Sequence, residues 1–590
     1  MLLFRSFVFC LIFCFSSPII AQVINIPDLA FKTYLLNNYS INTNGDSEIQ
    51  VSEASSYTGI INCSELEIAS LEGIEHFTDL TVLRCKQNAL DTLDLSSNTN
   101  LVEIVCSNNP LTSLTLPSGF ALKKVDCNTN ELTALDLSNV TGLTYVNFDL
   151  NFIPSIDVTG LPNLQELFVS TNGISTLDLS ANPLLKELRT SNNALTNLDL
   201  SFNPLLETVF CDVNNLTSID LTNNPNLEVL VCDENQLTTL DITQNVLLTD
   251  LSCSINQISG INTTMNTVLE LFECSENQIQ TLNLTQNEFL KYLYCSDNQL
   301  SSLNINSNGS LRKLNCSNNT ISNINFDQNI FINTINYSNN GVQSISLTNN
   351  DMLRNLYVNH NELTQLDLSN NPNLARLDAA SNNISNLTLP QPTIIRNLKV
   401  GSNNITELDA SGFNFLEVIH CESNAIEELD LSNSHNLREI LVQNNKLTKL
   451  NVKNGNNTAV HASHIPFNED PFNSTGNPLL ECVDVDNLVW SDTHWILKDS
   501  TTVFYPFCSS IGIEEQSLNT TLEIIIDYAN AEAYIEGNTN EVSHLEIYDI
   551  LGHKLRSTQA YKISISDLKS GIYIAIIHTH NQIIKQKFIK

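Results

Sequence analysis

Apolar and polar positions follow a 21-residue repeat through most of the chain. An asparagine marks each repeat, and the unit reads L-x-x-L-x-C-x-x-N-x-L-T-x-L-D-L-S-x-N-P-x. One such coil cannot bury its leucines alone, so the pattern predicts a solenoid whose stacked coils share a continuous core. The marker asparagines are Asn88, Asn109, Asn130, Asn151, Asn172, Asn193, Asn214, Asn235, Asn256, Asn277, Asn298, Asn319, Asn340, Asn361, Asn382, Asn403, Asn424 and Asn445.

Two polar positions of the unit have predicted roles inside the stack. The marker asparagine can donate and accept hydrogen bonds at once, so one per coil predicts a ladder that satisfies backbone groups of neighbouring coils. Three residues before it, ten repeats carry a cysteine, and others carry valine, alanine or phenylalanine. We interpret these cysteines as small buried apolar residues, because their side chains would point in parallel into the core. A disulfide or metal ladder is the alternative.

The unit resembles the leucine-rich repeat family, and most closely the bacterial, internalin-like subgroup in which a cysteine replaces one core leucine. The resemblance covers about residues 60–456. It implies a solenoid with a parallel strand on each coil and a convex side that is short and irregular or 3-10 helical. It also implies binding rather than catalysis.

One outward slot of the unit is acidic. It lies between two inward leucine-type residues, so its side chain must point to solvent. A solvated rib and a weak divalent-cation stripe are the two interpretations that remain open. The slot holds Asp94, Asp136, Asp157, Asp178, Asp199, Asp220, Asp241, Asp367, Asp409 and Asp430, with Asn283, Asn304 and Asn325 in other coils.

The outward slot beside the cysteine varies from coil to coil and is often aromatic. Exposed aromatic side chains on a rigid sheet are typical anchors for binding partners. The alternative is that each ring only packs on a neighbouring coil. The candidate anchors are Phe168, Phe210, Tyr294 and Tyr357, with Tyr145 and Tyr292 two residues earlier in their coils.

Residues 22–59 predict an N-terminal cap. Helical spacing of Phe31 and Leu35 is followed by a loop that resembles an EF-hand or dockerin-type calcium loop. Position one is asparagine rather than aspartate, and Gly45 comes two places early. Calcium binding and a plain polar turn both remain open. The resemblance assigns the ligand positions to Asn42, Asn44, Asp46, Glu48 and Glu53.

Residues 1–21 have the pattern of a secretory signal peptide. Arg5 precedes the apolar run Phe7–Phe15, and a small residue, Ala21, precedes the expected cleavage site. The run is short for a membrane span. We therefore expect an exported protein, secreted or attached to the outer surface.

Residues 457–510 resemble the C-terminal cap of bacterial leucine-rich repeat proteins. Both tryptophans of the chain, Trp490 and Trp495, lie here. Apart from Cys63, Cys482 and Cys508 are the only cysteines after the signal peptide that lie outside the ladder. Because an exported chain permits a bridge, we predict a Cys482–Cys508 disulfide.

Residues 511–590 change composition to short alternating segments split by glycines, which suggests a small β-sandwich. The string Leu545-Glu-Ile-Tyr-Asp-Ile-Leu-Gly552 and the basic end Lys585–Lys590 resemble the C-terminal sorting domain of the type IX secretion system of Bacteroidetes. This resemblance implies passage across the outer membrane by that machinery. A generic adhesive β-module is the alternative.

Charge narrows the functional classes. The 590 residues contain 27 Lys and Arg against 64 Asp and Glu, a formal net charge of −37. This balance argues against nucleic acid and anionic membrane surfaces as partners, and it discourages side-by-side association, so we expect a monomer. The sequence contains no G-x-S-x-G, H-E-x-x-H or phosphate-loop motif. We expect a protein that is not an enzyme and binds a protein or glycan, with a structural spacer as the alternative.

Overall fold

The computed structural model describes residues 22–461 and 470–508, and in the C-terminal region 523–527, 532–536, 542–549, 553–560, 562–569, 571–579 and 583–589. The predicted signal peptide, residues 1–21, lies outside the described residues. The chain divides into two compact units, Met1–Gln391 and Pro392–Lys590. None of the described helices is long and apolar enough to cross a membrane.

The first unit begins with the predicted helical cap. Its helices are α1, Leu29–Leu36, and α2, Val51–Ser56. Asp28 starts α1, because its Oδ1 accepts a hydrogen bond from the Phe31 backbone N–H at 2.9 Å. Its Oδ2 accepts from the backbone N–H of Ala69 at 2.8 Å. One carboxylate therefore both starts the helix and ties the cap to the first coils.

Short parallel strands, one per coil, form the main sheet of the first unit, and we call them the front strands. From Val82 onward each residue pairs with its equivalent in the next repeat, as Thr208 pairs with Val229. The predicted parallel solenoid is confirmed. The front strands are Ile60–Asn62, Val82–Arg84, Glu103–Val105, Lys124–Asp126, Tyr145–Asn147, Glu166–Phe168, Glu187–Arg189, Thr208–Phe210, Val229–Val231, Asp250–Ser252, Leu271–Glu273, Tyr292–Tyr294, Lys313–Asn315, Thr334–Asn336, Asn355–Tyr357 and Arg376–Asp378.

The core lies directly behind the front strands. The middle residue of each strand points inward, as Leu230 does, and the following cysteine, such as Cys232, is also fully buried. All eleven cysteines of this column, including Cys63, are buried and free. Burial raises the pKa of the Cys63 and Cys295 thiols to about 12, so they are neutral at physiological pH. They act as small apolar residues, as predicted.

The opposite side of the coils has little regular structure in the described residues of the first unit. Two pairs of parallel strands and one 3-10 helix occur there, which agrees with the predicted irregular convex side. The strands are Thr92–Asp94, Ser113–Thr115, Gln365–Asp367 and Asn386–Thr388, and the 3-10 helix is Ile74–His76.

The second unit starts with further coils of the same design. Its front strands are Asn397–Lys399, Val418–His420, Glu439–Leu441 and Phe472–Asn473. On the opposite side, four parallel strands form a sheet: Glu428–Asp430, Lys449–Asn451, Cys482–Asp484 and Val503–Tyr505. A 3-10 helix, Asn457–Ala459, and helix α3, Leu488–His494, complete this part.

An aromatic cluster and a disulfide close these coils. The Trp495 ring is fully buried, stacks on Phe472 with ring centroids 4.3 Å apart, and meets Phe504 edge-on at 5.7 Å. The structure joins Cys482 and Cys508 in a disulfide, with their Cα atoms 5.7 Å apart. Both features seal the open end of the leucine core from water.

Two antiparallel sheets form the C-terminal module, and their inward side chains share one core. Ala533 and Ile535 come from one sheet, and Leu545, Ala575 and Ile577 come from the other. The predicted β-sandwich is confirmed. The three-stranded sheet contains Glu523–Asp527, Glu532–Glu536 and Lys562–Ser564, and the four-stranded sheet contains Lys554–Thr558, Val542–Asp549, Ile572–Thr579 and Ile583–Ile589.

The marker asparagines form a hydrogen-bonded ladder, the turn ladder, within the coils. Asn235 is typical: its Nδ2 donates to the carbonyls of Cys232 at 3.2 Å and of Cys211 in the preceding coil at 3.0 Å. Its Oδ1 accepts from the Leu216 backbone N–H at 2.9 Å. The residue before each marker has a left-handed backbone, with φ between 49° and 56°, although none of these residues is glycine. The turn is therefore strained in every coil.

A second asparagine column, the corner ladder, lies deeper. Asn224 is fully buried, and its Nδ2 donates to the carbonyls of Leu200 at 3.1 Å and Asn203 at 2.9 Å. In ten of its eleven members Oδ1 has no partner among the described protein atoms. In the other member, Asn287, the Oδ1 accepts from the Thr263 hydroxyl at 2.9 Å. The corner ladder is Asn98, Asn182, Asn203, Asn224, Asn245, Asn266, Asn287, Asn308, Asn329, Asn350 and Asn371.

Candidate binding surface

The front strands present two outward side chains per coil, one on each side of the buried middle residue. Because neighbouring strands pair in register, equivalent outward side chains from successive coils stand in columns about 4.8 Å apart. Aromatic and cationic residues can therefore contact each other along a column. The six aromatic anchors predicted from sequence are all half-buried on this face of the first unit.

Three of these anchors meet in one stack with two cations. The Tyr145 and Phe168 rings meet edge-on, with centroids 5.3 Å apart. The guanidinium carbon of Arg189 lies 4.8 Å from the Phe168 centroid and 5.2 Å from that of Phe210. At the other end, Lys124 Nζ lies 4.6 Å from the Tyr145 centroid. We call these five residues the Arg189 patch.

Carboxylates fix and surround the Arg189 patch. Glu187 Oε1 accepts from Arg189 Nε at 2.7 Å, which holds the guanidinium between the rings. Behind the patch, burial raises the pKa of Asp149, although hydrogen bonds from Ser170 and the charge of Arg189 oppose the shift. Burial also raises the pKa of Asp126. The Arg189 guanidinium therefore lies among carboxyl groups.

The remaining three anchors do not join this stack. Tyr292 and Tyr294 flank the buried centre of one strand, and Lys313 Nζ lies 5.9 Å from the Tyr292 ring centroid. Burial raises the pKa of Tyr294, with a smaller contribution from the charge of Glu273. Tyr357 stands further along, between Asn336 and Asp378 on the adjacent strands. The structure thus divides the six predicted residues among three places.

Arg189 and Lys124 complete the patch, and neither was chosen as an anchor from the sequence. The signal that finds them is register: Arg189 lies one repeat from both Phe168 and Phe210, and Lys124 lies one repeat before Tyr145. Register therefore predicts two columns, and the edge-on contact of Tyr145 with Phe168 crosses diagonally from one column to the other. Further along the sheet from the Arg189 patch, the acidic residue Asp233 accepts a hydrogen bond from the Ser252 hydroxyl at 2.7 Å.

The predicted calcium loop is closed by its own hydrogen bonds. Glu53 Oε1 accepts from the Thr43 backbone N–H at 2.8 Å, while Asn42 Nδ2 donates to the Asp46 carbonyl at 2.9 Å. Asn44 Nδ2 donates to Asp46 Oδ2 at 2.9 Å.

The fifth predicted ligand of the loop, Glu48, pairs with Lys32 at 2.7 Å through its side chain. Calcium would have to displace several of these bonds. Calcium binding stays a prediction, and calorimetry with calcium would test it: no heat and no rise in melting temperature would refute it.

The outward aspartates of the coils have a structural role that neither sequence interpretation included. Asp220 Oδ1 accepts from the backbone N–H of Thr222 at 3.0 Å and from its hydroxyl at 2.7 Å. These bonds lower the pKa of Asp220. The asparagines of this slot accept the same backbone bond, as Asn283 Oδ1 does from the Thr285 N–H at 3.2 Å. The slot requires a short side-chain acceptor that closes a turn.

These features define the class: the coils have the leucine-rich repeat solenoid fold. Solved structures similar to this chain include the functional domain of InlJ from Listeria monocytogenes, described as including a cysteine ladder. It is 20% identical with a TM-score of 0.50, and the match covers 97% of this chain and 99% of that one. YopM from Yersinia enterocolitica is 24% identical with a TM-score of 0.51, covering 72% and 91%. At these identities the likeness shows the fold alone.

A plant receptor gives a further structural match. The plant peptide hormone receptor RGFR1, solved in complex with RGF2, is 19% identical with a TM-score of 0.58, covering 73% of this chain and 80% of that one. No curated protein matches the sequence. Residues 529–590 match the family model of the secretion system C-terminal sorting domain. The C-terminal module is therefore such a sorting domain, and it follows coils that have the leucine-rich repeat fold.

Proposed function

We propose that this exported protein binds a protein or glycan partner through the Arg189 patch. The observation that carries the proposal is the guanidinium of Arg189 held between Phe168 and Phe210. The Arg189 side chain keeps 46% of its surface exposed, and the rings on either side are half-buried. Preorganised aromatic and arginine side chains lose little conformational freedom when a partner docks on them.

The chemistry of the patch narrows the partner. Rings and a planar guanidinium suit stacking against a sugar face or against aromatic and planar groups of a protein. The net charge of −37 and the pairing of Arg189 with Glu187 disfavour a strongly anionic partner. The partner surface that fits is therefore neutral or cationic and offers flat faces.

The experiment compares a patch variant with a matched control. The patch variant is Phe168→Ala, Arg189→Ala and Phe210→Ala together, and the control is Phe289→Ala, whose ring is 56% exposed and lies outside the front strands. A glycan array and a pull-down with the purified protein supply the partner. We expect the patch variant to lose at least about tenfold in affinity, with its melting temperature unchanged.

Two outcomes would contradict this proposal. Equal partner retention by the patch variant and by Phe289→Ala would place the binding surface elsewhere. If the unaltered protein retains nothing on either assay, a spacer without a specific ligand becomes the better account of the solenoid. Light scattering on the same samples tests the expected monomer.

Export is proposed to use both ends of the chain. The signal peptide, residues 1–21, would direct the chain across the inner membrane and be cleaved after Ala21. Residues 511–590 would then direct passage across the outer membrane. The match of residues 529–590 to the sorting-domain family supports the second step. Deletion of 511–590 should leave the protein in the periplasm, and secreted protein should begin at Gln22. Unchanged secretion of the deletion variant would refute the sorting role.

A further inference from the structure

Three metal-ligating side chains meet on one face of the sorting domain. His544 and His578 are register partners on the antiparallel strands Val542–Asp549 and Ile572–Thr579. Glu546 lies two residues beyond His544 and is 4% exposed. Their ligand atoms all lie within 4.8 Å of one another, and no other group of three His, Cys, Asp or Glu side chains in the described part of the chain does so. We call these three residues the His-Glu-His cluster.

Both imidazoles approach the same carboxylate. His578 Nε2 lies 2.8 Å from Glu546 Oε2, and His544 Nε2 lies 3.6 Å from Glu546 Oε1. The two imidazole rings stack with centroids 4.0 Å apart and planes 9° apart, so the His578 ring must turn before both Nε2 lone pairs can point at one ion. The Glu546 carboxylate accepts hydrogen bonds from Lys554 Nζ and the Tyr548 hydroxyl as well as from the imidazole of His578.

The hydrogen bonds of Ser543 decide which nitrogen of His544 carries a proton. The Ser543 hydroxyl donates to the backbone carbonyl of His578 at 2.9 Å, which uses its single hydrogen. Its contact of 3.0 Å with His544 Nδ1 must then be donated by the Nδ1–H. The contact with Ser543 therefore leaves Nε2 of His544 as the nitrogen that can bind a metal beside the Glu546 carboxylate.

We propose that the His-Glu-His cluster binds a divalent transition metal of the zinc class through His544 Nε2, His578 Nε2 and a Glu546 oxygen. Nitrogen and carboxylate ligands on a tetrahedral zinc ion lie about 3.4 Å apart, between the two nitrogen–oxygen distances in the cluster. His578 would exchange its Nε2 proton for the ion. The His544 and His578 side chains are 34% and 25% exposed, which leaves a path for the ion and a place for water as fourth ligand.

Neighbouring groups can remain in place around the ion. Lys554 Nζ and the Tyr548 hydroxyl also bond to Glu546, one to each carboxylate oxygen. A carboxylate offers about four lone-pair sites, so these donors and a metal can share it. The Ser543 bond would fix the His544 ring, as hydrogen bonds to metal-bound histidines commonly do. The ion would join two adjacent strands and stabilise the sorting domain.

Calorimetry tests the site on chelator-treated full-length protein that still carries residues 511–590. Titration with zinc chloride should show saturable uptake, and bound Co²⁺ should give a visible absorption band. Replacing His544→Gln and His578→Gln together should weaken uptake by at least about tenfold. The matched control is His553→Ala, an exposed histidine in the same domain that contacts Asp549 instead.

A thermal melt guards against misfolding, because zinc should raise the melting temperature of the sorting domain in the unaltered protein but not in the double variant. The glutamine pair keeps hydrogen-bonding side chains at both positions. Absence of saturable zinc uptake by the unaltered protein would overturn the proposal. So would equal uptake by the double variant, and so would a loss in His553→Ala as large as in the double variant.

Discussion

The two asparagine ladders use the same residue type for different purposes. In the turn ladder, Asn235 uses both ends of its amide, since Nδ2 donates to three carbonyls and Oδ1 accepts a backbone N–H. In the corner ladder, Asn224 donates twice but leaves Oδ1 without a partner among the described protein atoms, although it is more deeply buried. The depth at which an asparagine is buried therefore does not predict how many hydrogen-bonding groups of its amide have partners.

The difference explains where each ladder tolerates other residues. The turn position is asparagine in all 18 coils from Asn88 to Asn445. At the corner position, Val140 and Leu161 replace asparagine and are buried equally well. The carbonyls that Asn224 contacts also receive backbone N–H groups, as the Leu200 carbonyl does from Asn203. Among the described protein atoms, the Leu216 N–H at the turn donates only to the Asn235 oxygen, so the turn position requires a side-chain acceptor.

The largest predicted effect comes from replacing an asparagine of the turn ladder with leucine, and the same replacement in the corner ladder is the control. Asn235→Leu should lower the free energy of unfolding by about 3 kcal/mol, because it leaves the Leu216 N–H unsatisfied and removes three bonds to carbonyls. The matched control, Asn224→Leu, should cost about 1 kcal/mol, because it removes an unpartnered acceptor together with two secondary bonds. Chemical denaturation followed by circular dichroism measures both. Equal losses would refute the distinction.

A smaller effect should follow at the one corner position that has a partner. Thr263→Val removes the hydroxyl that lies 2.9 Å from Asn287 Oδ1 and 3.0 Å from the Asn283 carbonyl, and it should destabilise by about 1 kcal/mol. The Val residue would then resemble Ile242 and Leu284, which hold this slot in the adjacent coils. The rate of backbone amide hydrogen exchange in the coil that contains Asn287 should rise as stability is lost. A variant as stable as the unaltered protein would mean that the unpartnered oxygens of the other coils cost nothing.

The strained turn offers a change in the opposite direction. Val213 has φ of 52°, a backbone conformation that β-branched residues rarely adopt and that asparagine tolerates. Val213→Asn should therefore stabilise by about 1 kcal/mol, and asparagine already holds this slot at Asn108 and Asn192. A raised melting temperature would be the measurement. A lowered melting temperature would show that packing of the Val213 side chain stabilises the protein by more than the strained backbone at this residue destabilises it.

The smallest predicted effect concerns acid. The folded-state pKa of Asp220 is lowered by its bonds from Thr222, so its contribution to stability is present above its ordinary pKa and is lost as pH falls through the folded value. Asp220→Asn keeps the turn acceptor, as Asn283 does, and should change stability little at pH 7. Melting curves between pH 7 and pH 3 should show less acid sensitivity in the variant. An identical pH profile would contradict this.

Register explains how far the candidate site could be predicted. Once the period of the repeat is known, every outward side chain has calculable neighbours, and the Arg189 patch follows from Phe168, Arg189 and Phe210. The same rule shows that Tyr357 lacks aromatic neighbours in its column. Which rings pack against each other depends on side-chain rotamers, and these are settled only when both coils are present.

The sequence by itself determined the repeat length, the solenoid class, the buried cysteine column and the position of the sorting domain, because each follows from periodicity or a local motif. Tertiary structure alone decided the unequal use of the two asparagine ladders and the meeting of His578 with His544 and Glu546. The physical reason is the same in each case. Hydrogen bonds between coils or strands join groups distant in the chain, so their satisfaction depends on atoms that no local pattern contains.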